Sequence, residues 1–290
     1  MGAAAPKTGV CVRSLAQARV RGAIRPRAAF VALVAASVAA CADGEEGGKS
    51  VRPPTAIPEG VALTAAQVQV GTANGTLRKQ VAVDGFTIGR FPVTVAQYRE
   101  CVASRGCSPP ALRQGACAST TPGSAGPTWA EALSDRDDVP VTCVSVSQAA
   151  SYCKWVGGRL PAIEEWLHAA RGPSVRAYPW GTQPPTCEQH APGAMANGGK
   201  SACCPGDCTL RDLIGVGRHP AGKSPSGVED VLLTRAELVA SSPEAAVPGC
   251  RNGKHGCLVQ SATPGSIDAV FPVPSDESAA LAWSFRCAWE

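Results

Sequence analysis

Alternating apolar and polar positions mark the first folded part of the chain. Apolar side chains fall on every second position over residues 61–63, 68–70 and 80–86, and Gly85 supplies a turn near the end of the last run. Alternation of period two buries one face of a strand and exposes the other. The pattern predicts short β-strands in these places, in a folded domain that begins at about residue 59.

Two later segments have apolar residues at helical spacing. Each begins after a serine or threonine and ends at a glycine. Thr94 is the predicted N-cap of the first segment, in which apolar residues recur at helical spacing up to Gly106. Ser147 is the predicted N-cap of the second. Serine and threonine favour N-caps and glycine favours the residue after a helix. Two helices are therefore predicted, around residues 95–105 and 148–156.

A third helix has the clearest pattern. Pro161 suits a first-turn position, and Glu164 and Glu165 favour the positive end of the helix dipole. An apolar stripe at helical spacing comprises Ile163, Trp166, Leu167 and Ala170. The segment ends at Gly172, beyond which no further helix is predicted.

The rest of the chain is dominated by turn-forming residues. The sequence holds 31 glycines and 25 prolines, and short strands are predicted around residues 269–271 and 283–287. No internal repeat is present. The pattern predicts one loop-rich domain over residues 59–290.

The first 58 residues have a different character. A basic segment ends at Arg27, and an apolar run over 28–40 follows that is too short to span a bilayer as a mature helix. The small residues before Cys41 resemble the lipobox of bacterial lipoproteins. We predict a signal peptide over 1–40, lipidation at Cys41 and a flexible Gly/Pro-rich tether over 41–58. An ordinary secretory cleavage near residue 40 is the alternative.

The cysteine content indicates the compartment of the protein, and its charge limits the classes of partner that it can bind. Fourteen cysteines are typical of an oxidising compartment, and twelve remain if Cys11 is removed with the leader and Cys41 carries lipid. The net charge of +4 lies largely in the leader, so a mature domain would be close to neutral. Nucleic acid is excluded as a partner because no clustered basic face survives maturation. The expected location is the outer membrane or the periplasmic face of the envelope, with Cys41 anchored in lipid.

Five sequence blocks resemble the sulfatase-modifying-factor (formylglycine-generating enzyme) family. They share their order and their residue types with the family pattern, and lie at residues 91–98, 140–155, 158–181, 216–231 and 285–288. The third is the most specific, with a Leu-Pro turn, a Glu-Trp helix and a Pro-Trp-Gly turn. The resemblance covers about residues 80 to 290.

The resemblance implies an irregular, loop-rich α+β fold related to C-type lectin-like domains and stabilised by disulfides. It implies that Cys153 pairs with Cys287. It also makes Asn197 a candidate calcium ligand, since members of the family offer oxygen ligands in that loop. Separately, Cys101 and Cys107 are predicted to close a local loop after the first helix.

This sequence departs from the part of the family pattern that carries the catalytic function. The family motif Gly-Asn-Val-Trp-Glu-Trp is expected after Val231, but other residues occupy positions 232–239. In active members, two cysteines five apart bind copper(I) and oxidise a sulfatase cysteine with oxygen. Here the nearby pair is Cys250 and Cys257, seven apart. A disulfide is the favoured interpretation of this pair, and a copper site with His255 is the alternative.

Three functions follow for the domain. The leading one is a noncatalytic binding or structural module at the cell envelope, with an unidentified protein, peptide or glycan ligand. The rival is an active formylglycine-generating oxidase that uses Cys250, Cys257, copper and oxygen. A third, carbohydrate or peptide binding, rests on fold analogy alone. His168 on the third helix is expected to be solvated or to cap the helix.

Overall fold

The computed structural model describes most of the domain. The described residues are 51–70, 79–110, 136–173, 176, 178–183, 186, 188–189, 215–231, 236–243, 257–260, 269–272 and 283–290. The predicted leader, Cys41, Asn197 and Cys250 lie outside them. No helix among the described residues is long and apolar enough to cross a membrane.

The predicted strands at the start of the domain are present as two antiparallel pairs. Strand β1 (Gly60–Leu63) pairs with β4 (Phe86–Gly89), and β2 (Ala66–Val70) pairs with β3 (Lys79–Val83). The run predicted at 80–86 is thus the end of one strand, a turn at Gly85 and the start of the next. Buried positions alternate along β2 and β3, as the hydrophobic pattern requires.

Helix α1 (Val95–Ala103) begins at the predicted cap. The Gln97 amide N–H donates to Thr94 Oγ1 at 3.3 Å, and the Thr94 amide N–H donates to Gln97 Oε1 at 2.9 Å. The two bonds form a capping box that satisfies two amides at the helix start.

Helix α2 (Val146–Trp155) begins two residues earlier than predicted. Its N-cap is Ser145 rather than Ser147, because Gln148 lies three residues after Ser145 and completes a capping box with it. Ser147 instead lies in the first turn, with its hydroxyl 2.9 Å from that of Ser145.

Helix α3 (Ile163–Arg171) carries the predicted apolar stripe, and both ends differ in detail from expectation. Ala162 is the N-cap, so Pro161 precedes the helix instead of occupying its first turn. The Ala162 amide N–H donates to Glu165 Oε2 at 2.7 Å, so a carboxylate at the third position supplies the capping bond. Gly172, at φ 74°, ends the helix as predicted.

Four of the described strands after residue 235 form one sheet. Its order is β7 (Ala269–Pro272), β6 (Cys257–Gln260), β5 (Ala236–Val239) and β8 (Trp283–Phe285), and only the β5–β8 pair is parallel. Strands β7 and β8 were predicted, whereas β5 and β6 were not. Strand β9 (Ala288–Trp289) adds to β4 and completes a three-stranded sheet with β1.

Aromatic side chains join α1 and α2 to β8. Tyr98, Tyr152 and Phe285 are buried, with ring centroids 5.6–6.4 Å apart in each pair. Burial raises the pKa of both tyrosine hydroxyls, and that of Tyr98 donates to the Ser108 carbonyl. Such contacts contribute beyond the apolar area that they bury.

The two predicted disulfides for which both cysteines are described are present. Cys153 of α2 is bonded to Cys287 between β8 and β9, and Cys101 is bonded to Cys107 in the loop after α1. The α+β fold class expected from the sequence is confirmed.

The described part of the predicted tether, residues 51–58, lies against the helices. Trp155 Nε1 donates to the Arg52 carbonyl at 2.7 Å, and the Thr55 amide donates to Glu100 Oε1 at 2.6 Å. The hydrogen bond from Thr55 lowers the pKa of Glu100. These residues are therefore attached to the domain by specific hydrogen bonds.

Candidate functional site

Cys257 is the described member of the predicted cysteine pair. It is the first residue of β6, is fully buried and is disulfide-bonded. Copper(I) is bound by thiolates, and a sulfur that is already in a disulfide has no thiolate form. The residues described here therefore do not fit a copper site at Cys257. Cys250 and the calcium candidate Asn197 lie outside the described residues.

Residues 236–239, the described part of the segment in place of the family motif, form β5, an inner strand of its sheet. All four of its residues are buried, including Glu237, whose side chain is 1% exposed. The carboxylate of Glu237 accepts from Trp166 Nε1 on α3 at 2.7 Å. It also accepts from Arg286 Nε at 2.7 Å and Arg286 Nη2 at 2.6 Å. Glu237 is thus an internal anchor that joins β5 to α3 and to Arg286.

Arg286 is the other half of this anchor and is also 1% exposed. Its guanidinium makes five hydrogen bonds, which is the full capacity of an arginine. Besides the two bonds to Glu237, it donates to the carbonyls of Gly89, Arg90 and Glu229 at 3.0–3.2 Å. The pair therefore ties together β4, β5, α3 and the loop that contains Glu229.

A second ion pair extends the network towards the surface. Arg90 donates through Nε and Nη2 to Glu229 Oε1, and through Nη1 to Glu59 at 2.6 Å. The hydrogen bonds to Glu229 are the main cause of a raised pKa of Arg90. Opposite charges therefore alternate from the exposed Glu59 inward to the buried Glu229.

Asp230 lies next to this network and is strained and buried. It has φ 57°, an uncommon value for a residue with a side chain, and is 6% exposed. Its Oδ2 accepts from the Gly217 amide at 2.6 Å, while Oδ1 has no hydrogen-bond partner in the described part of the structure. Burial raises the pKa of Asp230 against the opposing effects of Gly217 and Arg286.

This network has a structural role, because its charged groups are engaged with one another. The donors of Arg286 are all engaged, and the Glu237 carboxylate is held by three donors at 2.6–2.7 Å. A general base or a nucleophile needs a lone pair that a substrate can reach. No group of three His, Cys, Asp or Glu side chains within the described ranges is arranged to hold a metal ion.

His168 does not lie where it was expected. It is 5% exposed, and its Nε2 lies 3.0 Å from the Thr64 carbonyl oxygen. The prediction of a solvated or capping side chain is wrong, because α3 is buried on the face that carries His168 as well as on the apolar stripe. The ring also packs near Phe86, with centroids 6.2 Å apart.

Sequence reasoning missed Glu237 and Arg286, although each carried a signal. Each is a single charged residue between apolar neighbours, in Ala236-Glu237-Leu238 and Phe285-Arg286-Cys287. Buried charges occur in pairs, so two such residues of opposite sign predict each other as partners.

Comparisons with known proteins agree with this architecture. The family model described as "Sulfatase-modifying factor enzyme 1-like domain" matches residues 48–203. Hercynine oxygenase of Mycolicibacterium smegmatis is 32% identical in an alignment of 185 residues, and the match covers 58% of this chain and 40% of that protein. The formylglycine-generating enzyme of Mycobacterium tuberculosis is 31% identical in an alignment of 151 residues, and the match covers 40% of this chain and 48% of that protein.

The chain therefore spans less than half the length of these two relatives. Among solved structures, PvdO from Pseudomonas aeruginosa superposes with a TM-score of 0.54 at 19% identity. The match covers 80% of this chain and 94% of PvdO. At this identity the likeness concerns the fold, and it agrees with the fold that the sequence motifs implied.

Proposed function

Because the chain belongs to the family of sulfatase-modifying factor enzyme 1-like domains, we propose that it is an exported, lipid-anchored and noncatalytic member. Its domain acts as a binding or structural module at the cell envelope. Cys41 carries the lipid, and residues 42–50 connect it to the domain.

The state of Cys257 supports the noncatalytic role most directly. The oxidase mechanism implied by the family resemblance needs two cysteine thiolates on copper(I). Cys257 is buried and in a disulfide, so its sulfur is not available as a ligand. A disulfide is also the stable form of such a cysteine in an oxidising compartment.

The distribution of retained residues supports the same role. Trp166, Glu237 and Arg286 form a buried hydrogen-bonded network that holds the fold together. Where the family's Gly-Asn-Val-Trp-Glu-Trp motif is expected, the chain has other residues, and the described part of that segment, residues 236–239, is an inner strand. A domain that keeps its scaffold without its reactive groups is suited to binding.

An oxidation assay tests the proposal, and a positive result would support the rival oxidase function. The full chain is incubated with copper(I), oxygen, a thiol reductant and a cysteine-containing sulfatase peptide. The mass of the peptide is then measured by mass spectrometry. We expect no aldehyde product above the level of the copper-only control. Formation of formylglycine that depends on the protein and is lost in Cys257→Ala would establish the oxidase instead.

A further inference from the structure

Residues 51–58 lead from the proposed lipid anchor into the domain and are fixed to one face of it. The Arg52 amide donates to the Ser104 carbonyl at 3.1 Å, and the Arg52 carbonyl accepts from Trp155 Nε1 at 2.7 Å. Ser104 is the C-cap of α1, and Trp155 is the last residue of α2. The chain therefore joins the domain where the C-terminal ends of these two helices meet.

Three cations lie at this junction. Arg52 belongs to the segment itself, Arg105 directly follows Ser104, and Lys154 directly precedes Trp155. All three side chains are exposed, and none of them has an ion pair in the described part of the structure. Their charges are therefore available to a partner.

One carboxylate reduces this positive charge without cancelling it. Glu100 accepts from the Thr55 amide, and the hydrogen bond lowers the pKa of Glu100, so the carboxylate is charged at neutral pH. Three cations with one carboxylate leave an excess of positive charge. A surface with this excess attracts an anionic partner.

Exposed apolar side chains accompany the cations. Val51 is 54% exposed and Ile57 is 64% exposed, and they are the exposed large apolar residues of the described ranges. Single exposed apolar residues are common on proteins, but here both belong to the one segment of eight residues that carries Arg52. Apolar side chains among cations suit a membrane interface, where they enter the headgroup region beside anionic lipids.

The length of the proposed tether keeps this face towards the bilayer. Cys41 and Val51 are ten residues apart, and ten residues span at most about 35 Å in any conformation. A compact domain of the size of residues 59–290 is on the order of 45 Å across. The tether is therefore too short to pass around the domain, and the face opposite residue 51 cannot rest on the membrane that holds Cys41.

The cationic and apolar residues at this junction define a tether face, which comprises Val51, Arg52, Ile57, Arg105 and Lys154. We infer that the tether face binds the anionic phospholipid headgroups of the membrane in which the lipid on Cys41 is inserted. Each basic residue near an anionic leaflet strengthens binding about fivefold. The domain is thereby held in one orientation, with the opposite face directed away from the membrane. The inference rests on the lipid anchor of the proposed function.

The test compares the exported chain on two kinds of vesicle, one of phosphatidylcholine and one of equimolar phosphatidylcholine and phosphatidylglycerol. Exposed lysines are acetylated by a water-soluble reagent, and mass spectrometry gives the rate at each site. We expect Lys154 to react about fivefold more slowly on the anionic vesicles, and high salt should remove this protection. Lys223 is exposed, lies outside the tether face and should react equally on both.

Variants test whether the cations cause the protection. The double variant Arg52→Gln, Arg105→Gln should restore the reactivity of Lys154 on anionic vesicles to its value on neutral ones. Both replaced side chains are exposed, and circular dichroism checks that the fold is kept. Arg218→Gln, the same change at an exposed arginine outside the tether face, should leave the protection unchanged.

Three results would overturn the inference. The first is equal reactivity of Lys154 on the two kinds of vesicle, and the second is protection that persists in the double variant. The third is protection on neutral vesicles that rises with the density of protein, which would indicate that a second copy of the chain covers this face.

Sedimentation with the neutral vesicles measures the anchor separately, because a lipidated chain stays on them whatever the state of Lys154. A chain that leaves the neutral vesicles lacks the anchor, and the proposed location then fails. Its sedimentation with the anionic vesicles still tests the tether face. Binding that the double variant abolishes supports the inference, and absence of binding overturns it.

Discussion

At the scale of single residues, Glu237 and Arg286 carry the most consequential interaction of the domain. Both side chains are 1% exposed, and Arg286 Nε and Nη2 donate to the Glu237 carboxylate at 2.7 and 2.6 Å. A buried pair contributes modest net stability, but the loss of one member leaves an uncompensated buried charge.

Replacement of Arg286 should therefore be severe. Arg286→Met is expected to lower the free energy of unfolding by about 3–5 kcal/mol, measured by urea denaturation. The double variant with Glu237→Gln should lose less than the sum of the two single variants, because no isolated charge remains. Arg218→Met is the control, since its ion pair with Asp138 is exposed and contributes about 0–1 kcal/mol. Equal effects of Arg286→Met and Arg218→Met would contradict this account.

Asp230 predicts a pH dependence of stability. Burial raises its pKa in the folded chain above its ordinary value of 3.8, so the folded state holds this proton more tightly than the unfolded state. The stabilisation is fully present below pH 3.8 and is lost as pH rises through the folded pKa. Asp230→Asn keeps an acceptor for the Gly217 amide and suits a positive φ.

The melting temperature of Asp230→Asn should accordingly match that of the unmodified chain near pH 3.5 and exceed it at pH 7. A gain of about 2–4 °C corresponds to about 1 kcal/mol in a domain of this size. Thermal unfolding at a series of pH values checks this. The contrary result is a melting temperature of Asp230→Asn, relative to that of the unmodified chain, that is lower at pH 7 than at pH 3.5. It would show that the charge of Asp230 is stabilising.

At the scale of elements, local signals predicted the helices and the early strands well. The caps, glycine stops and apolar stripes lie within a few residues of the structure that they determine, as at Thr94 and Gly172. The N-cap of α2 was misplaced because two serines compete there, and only Gln148 distinguishes them. Strand β5 was missed because it is buried on both faces, so period-two alternation is absent.

The two disulfides for which both cysteines are described should differ in their effect on stability. Cys153 and Cys287 are 134 residues apart, whereas Cys101 and Cys107 are six apart. The chain-entropy model assigns ~5 kcal/mol to the first cross-link and ~2 kcal/mol to the second. The double variant Cys153→Ala, Cys287→Ala should therefore unfold at a clearly lower urea concentration than Cys101→Ala, Cys107→Ala. The reverse order would mean that strain or unfolded-state structure outweighs loop length.

At the scale of the whole molecule, the fold could be predicted from the sequence to a greater extent than the site. The family motifs are local blocks that specify the scaffold. The site depends on long-range pairings, such as Glu237 with Arg286, 49 residues apart, and Glu164 with Ser242, 78 apart. No local pattern encodes which distant residue satisfies a buried charge. The burial of His168 was missed for the same reason, because it depends on contacts with distant residues such as Thr64 and Phe86.

The proposed anchor makes a prediction for the intact chain in a bacterial host. Labelled palmitate should be incorporated into the protein, and Cys41→Ala should abolish the label and release the protein from the membrane fraction. Cys11→Ala, a cysteine replacement within the leader, is the control and should keep the label. Retention of the label by Cys41→Ala would rule out lipidation at this position.

The most direct test of the noncatalytic role is the chemical state of the cysteines in the purified full chain. Alkylation with and without reduction, followed by mass spectrometry and a copper assay, gives the state of each sulfur. We predict that Cys257 is protected until the protein is reduced and unfolded, and that copper does not co-purify. Alkylation of Cys257 without reduction, together with bound copper, would contradict the account and restore the oxidase as the leading function.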